Sequence, residues 1–210
     1  MRLPKSLQIK ETVSLYAKKY QYKVVLVTPV AYIFRGNDLE FAAKCIESRH
    51  FPSWTKIKSE EDIEYSAKVL EVLKSLNNDY TIRVENPRLN FYSNDPLAVE
   101  TLVNLDESNI KYITIPYKSS PKLNSDSVIV KKLDYDYKIT IGRTRRDHSS
   151  FLAWADGNEK VKLTKKCERE LKRSQSWGGF YFYVRGEKTL TMVRMFLGSD
   201  IAKTETVLKG

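Results

Sequence analysis

The chain has 210 residues, 41% hydrophobic and 30% charged, with a formal net charge of +10 at pH 7. That length supports one large domain or two small ones with packed cores, and the aromatic content speaks against disorder. No apolar run reaches the roughly 18–20 residues that cross a bilayer, and the first 22 residues carry charges throughout and do not read as a signal peptide, so a cytoplasmic protein is expected.

The charge is unevenly placed. Residues 1–120 hold 17 Lys and Arg against 15 Asp and Glu, whereas residues 121–210 hold 19 against 11, net +2 and +8. A basic half beside a near-neutral half points to a polyanionic partner, nucleic acid foremost, bound through neutralised phosphates and released counterions. A lysine-rich surface that only maintains solubility is the competing explanation.

In chain order, Ser6 to Tyr20 is expected to form an N-terminal helix, with Ile9, Val13, Tyr16 and Tyr20 at helical spacing. Tyr22 to Val27 is a strand, Thr28-Pro29 breaks it, and Val30 to Phe34 is a second run. Asn37 with Glu40 three residues on predicts a capped helix to about Ser48. "SEEDIEYSAKVLEVLKSL" writes another helix, capped by Ser59, with acidic residues complementing its dipole. Two strands flank Pro87, a helix follows Asp95-Pro96, and Lys111 to Pro116 is a further strand.

"YKSSPKLNSDS", Tyr117 to Ser127, has linker composition and coincides with the shift in charge. The expected division is an N-terminal helix over 1–20, a near-neutral domain over 21–117, a linker over 118–129 and a basic domain over 130–210. In the last of these, Lys138 to Ile141 is a strand, Glu159 to Ser174 a helix, Phe180 to Val184 a strand, Lys188 to Leu197 a helix and Ile201 to Leu208 a strand. A missing strand is sought in "SSFLAWA". The order suits an α+β protein of two ferredoxin-like halves in tandem, each an antiparallel sheet with helices on one face.

One strand–corner–helix phrase occurs three times, at 31–47, 89–105 and 181–197. An Arg-Gly corner at a helix start can bind anions. All three copies share an acidic residue opening the helix, however, so the repeat speaks for capping and duplicated architecture.

No P-loop, dinucleotide fingerprint, HExxH, GxSxG or Cys/His metal spacing is present, so no cofactor and no metal are expected. Cys45 and Cys167 lie far apart, have no CxxC spacing and read as buried free thiols. His148, in "RTRRDHSS", is a candidate general acid–base for RNA cleavage, with a solvated loop histidine as the plainer reading. Asp134 and Asp136 in "DYDY", and the acidic run of "SEED", read as structural before metal-binding.

Basic residues carry more information. Arg143, Arg145 and Arg146 follow a strand, and arginine's planar fork suits phosphate. Lys162, Lys165, Lys166, Arg169, Lys172 and Arg173 fall on one face of the expected 159–174 helix, opposite Leu163, Cys167 and Leu171. In "WGGFYFYVRG", Tyr181 and Tyr183 share one face of a strand and are candidates for base stacking. Gly179, Phe180 and Phe182 fit the RNP1 pattern of RNA-recognition modules, but Gly178 and Tyr181 depart from it, so no family is assigned.

The expected function is a non-enzymatic nucleic-acid-binding protein, with RNA or single strands favoured, acting through its basic C-terminal domain. The near-neutral domain would dock a protein partner or self-associate. The alternatives are a structural or adaptor protein of a viral or mobile-element assembly, and a metal-independent ribonuclease using His148.

Overall fold

A computed structural model of the chain describes residues 3–53, 55, 57, 59–76, 79–116, 122–173 and 175–210. It divides into two compact units, 1–118 and 119–210. The expected linker falls partly on residues 117–121, which lie outside the described residues.

The first unit runs β1 (Ile9–Thr12), β2 (Tyr22–Val27), a 3-10 segment (Ala31–Asn37), α1 (Leu39–Ser48), α2 (Glu60–Ser75), β3 (Tyr80–Glu85), β4 (Arg88–Ser93), α3 (Pro96–Leu105) and β5 (Ile110–Pro116). Its sheet order is β1-β5-β2-β4-β3. Strands alternate, so Val24, Leu26, Leu89, Phe91 and Ile113 face the helices. They pack against Val69, Leu73, Val99 and Leu102 of α2 and α3.

The second unit runs β6 (Ser127–Val130), β7 (Tyr137–Ile141), α4 (Ser149–Ala155), β8 (Val161–Leu163), α5 (Lys165–Leu171), β9 (Phe180–Val184), α6 (Glu187–Leu197) and β10 (Ile201–Lys209). Its order is β6-β10-β7-β9-β8, the plan of the first unit repeated. Ile139, Ile141, Phe180, Phe182 and Val184 meet Phe151, Cys167, Leu171, Leu190 and Val193 in its core. In each sheet the outermost strand, β1 or β6, joins its neighbour in parallel, and the remaining pairs are antiparallel.

The correspondence reaches single residues. Tyr22 and Lys23 stand opposite Ser93 and Tyr92, and Tyr137 and Lys138 stand opposite Val184 and Tyr183. The second and third copies of the repeated phrase, β4–α3 and β9–α6, occupy equivalent places in the two sheets. The first copy does not, because its apolar run is a 3-10 segment, Ala31–Asn37, that buries Ala31, Ile33 and Phe34.

Other expectations are corrected. Residues 6–20 form no helix: β1 pairs with β5, Ile9 and Val13 are exposed, and Ala17 and Lys18 take positive φ, which ends any helix. Asp38 rather than Asn37 caps α1, accepting from the Phe41 N–H at 2.9 Å, while the Asn37 side chain accepts from Ile82 N–H. "SSFLAWA" is α4 and not a strand, its start held by Asp147, which accepts the Ser149 N–H at 3.1 Å. The 159–174 helix is interrupted. Asn158 turns the chain, Val161–Leu163 pairs with β9, and only then does Thr164 cap α5 through the Cys167 N–H at 3.2 Å. Ser127–Val130, placed mostly in the linker, is an edge strand.

Candidate nucleic-acid interface

The loop after β7 carries Arg143, Arg145 and Arg146, all exposed, around the buried Thr144. Together with Thr144 and Asp200 they line one open concavity of about 510 Å³. Three arginines around a shallow recess concentrate positive charge there, and a guanidinium is a planar donor fork.

The loop is fastened from below. Thr144 and Ser176 exchange backbone hydrogen bonds, both 3.0 Å, which prolongs the β7–β9 pairing beyond the sheet. Between them the chains approach so closely that a Cβ on Gly178 would lie 2.3 Å from the Gly142 carbonyl carbon. Gly178 also has φ +80°, so both space and backbone call for glycine. Arg143 lays its guanidinium over the Trp177 ring, 4.4 Å from the centroid. Arg146 donates to the Ser199 hydroxyl at 3.3 Å, and nothing comparable holds Arg145 among the described contacts.

His148 is not the solvated loop residue expected. It is 4% exposed, with Nε2 3.1 Å from Asp200 Oδ2 and 3.3 Å from Thr144 Oγ1. The Nε2–H tautomer is the one that donates to the carboxylate. Nδ1 is buried without a hydrogen-bond partner. Buried in this way, the ring offers a substrate no accessible surface. What it does is tie Thr144, and with it the arginine loop, to the turn before β10.

The basic helix is less uniform than its sequence. Lys162 lies on β8, outside α5, because the 159–174 helix is interrupted. Lys172 pairs with Glu168 at 2.7 Å, Arg173 with Glu170 at 3.1 Å, and Arg169 also approaches Glu170. The Ser176 hydroxyl donates to Glu170, and with Arg173, Arg169 and Lys166 nearby it holds that carboxyl below its ordinary range. Lys162, Lys165 and Lys166 are exposed.

On the sheet face away from the helices the two tyrosines part company. Tyr183 is 9% exposed, covered by Tyr135, Leu133, Val128 and Val207, so it presents no stacking surface. Tyr181 is 38% exposed, with the Lys138 ammonium 4.7 Å from its ring centroid. Lys138 and Lys203 both hold Glu205, at 3.3 and 2.6 Å, leaving the buried carboxylate compensated.

Asp134 pairs with Lys209 and Arg185, and Asp136 accepts the Gly186 N–H at the start of α6, so both have structural work. An acidic side chain therefore fills the anion position at that corner. Among the described residues, no group of three or more His, Cys, Asp or Glu side chains could hold a metal ion. Among the described residues, no helix is long and apolar enough to cross a membrane. No family model, curated protein or solved structure matches this chain.

Sequence reasoning had located the arginines from local charge. It missed the contacts of Trp177 with Arg143, of Lys138 with Tyr181 and Glu205, and of His148 with Asp200, which join residues distant in sequence. Trp177 left one signal, a large aromatic immediately before two glycines.

Proposed function

We propose that the second unit binds single-stranded nucleic acid, RNA or DNA, without enzymatic activity. Arg143, Arg145 and Arg146 take phosphates in their concavity, Lys165 and Lys166 extend the electrostatic surface, and Tyr181 meets a base. The observation that carries this reading is the gathering of three exposed arginines around one recess, on the half of the chain with net charge +8. Arg169, Lys172 and Arg173 contribute less, because glutamates beside them already compensate their charge. We infer further that each unit is a ferredoxin-like sandwich with one added edge strand. The shared strand order and the antiparallel pairing of four strands in each sheet support that inference.

The test is fluorescence anisotropy of a labelled single-stranded oligonucleotide at several salt concentrations. Reversing Arg145 and Arg146 to Glu should abolish binding, whereas reversing Lys172 and Arg173 should weaken it only modestly. Equal losses from the two pairs, or no loss from either, contradict the assignment.

A further inference from the structure

The geometry points to Trp177 as a preformed base-stacking platform, which makes the basic unit a reader of unpaired bases rather than of duplex backbone. This inference rests on the nucleic-acid reading above and assigns it a specific residue. Trp177 is 77% exposed, the most exposed large apolar side chain among the described residues. A core does not account for such a residue, and an exposed large aromatic is informative where an isolated exposed leucine is not.

Its backbone is nevertheless firmly held. On one side Ser176 is buried, gives both its backbone groups to Thr144, and donates its hydroxyl to Glu170 at 2.9 Å. On the other side Gly178 is pressed against Gly142, and the Gly179 N–H donates to the Ile141 carbonyl at 2.9 Å. The ring therefore stands on a fixed pedestal, and little conformational freedom remains to be lost when a ligand stacks on it.

The Arg143 guanidinium covers the ring at 4.4 Å. With 77% of the residue exposed, the ring still offers surface to solvent. A nucleobase laid there completes a stack of guanidinium, indole and base, all planar and mutually attractive. Because Arg143 also lines the arginine concavity, the same side chain links the stacked base to the place where its flanking phosphate would be held. A paired base cannot enter such a stack without leaving its helix, so the arrangement favours single strands.

The experiment compares wild type with Trp177→Ala and Trp177→Phe on three probes. These are a single-stranded oligonucleotide of about twelve nucleotides, the same strand made abasic throughout its centre, and the matching duplex. Loss of one base–aromatic stack predicts that Trp177→Ala weakens the intact strand about five- to hundredfold and leaves the abasic strand and the duplex unchanged. Trp177→Phe should retain most of the affinity while losing most of the tryptophan quenching that the intact strand produces. The side chain is exposed, so thermal melting should be unaltered in both variants. Equal affinity of wild type and Trp177→Ala for the intact strand overturns the inference. An equal loss on intact and abasic strands also overturns it, showing a structural role. Failure of wild type to bind any probe is a different result, which overturns the nucleic-acid reading and this inference with it.

Discussion

Gly178→Ala probes the joint between the sheet and the arginine loop. An added Cβ would sit 2.3 Å from the Gly142 carbonyl carbon, 2.4 Å from its oxygen and 2.8 Å from the Arg143 nitrogen. All three are backbone atoms, so no side chain can rotate away, and the two segments must separate by about 1 Å to reach ordinary contact. Separation strains the Thr144–Ser176 pair, two hydrogen bonds with a net value of about 0.5–1.5 kcal/mol each. The positive φ adds about 1–2 kcal/mol for any residue with a Cβ, for a total of about 2–5 kcal/mol. Gly179 is the control: its φ is +75° and a Cβ there meets nothing within 4 Å, so Gly179→Ala carries only the backbone cost. Urea unfolding followed by tryptophan fluorescence should show Gly178→Ala shifted by about 1–2 M and Gly179→Ala by about half of that or less. Gly178→Ala should also lose oligonucleotide affinity, because Arg143 and Trp177 move with the joint. Equal shifts for the two variants would refute the close-approach reasoning.

Three further outcomes follow from the same geometry. His148→Ala leaves the buried Asp200 carboxylate without its imidazole partner, which should destabilise the chain by about 1–3 kcal/mol in urea unfolding and weaken oligonucleotide binding several-fold. Thr164→Ala removes both the α5 cap and a hydrogen bond to the Tyr181 carbonyl, a loss of about 1–2 kcal/mol by the same assay. Burial pushes the Cys167 thiol from 9.0 up to about 12, so the unfolded chain loses this proton first as pH rises. Stability fully present below pH 9 is then lost toward pH 12, by about 1.4 kcal/mol per unit. Cys167→Ala should show a correspondingly flatter decline between pH 9 and 11, and the native thiol should resist alkylation at neutral pH.

Much of the fold was legible where local signals agree with tertiary demand. Ser59 and Asp62 form the capping box of α2. Asp95 and Pro96 open α3, and the β-rich runs at 80–85, 137–141 and 180–184 are strands. Several failures share a cause, which is that apolar residues at helical or strand spacing do not show what they face. Residues 6–20 have helical spacing, but pairing of Ile9–Thr12 with β5 determines their backbone. Val161–Leu163 sits in a sequence of helix formers yet completes the edge of a sheet through its pairing with β9. The arginine loop was legible because charge is visible residue by residue. The loss of Tyr183 was not, since only the fold brings Tyr135 and Leu133 over it.

The central claim is that phosphates sit among Arg143, Arg145 and Arg146. It is tested most directly by the slope of log affinity against log salt for a single strand, measured on wild type and on the Arg145→Gln, Arg146→Gln double variant. Each phosphate contact contributes about −0.7 to that slope. The account predicts a steep negative slope for wild type, made shallower by about 1.4 in the variant. A slope unchanged by the double substitution, or affinity indifferent to salt, would contradict it.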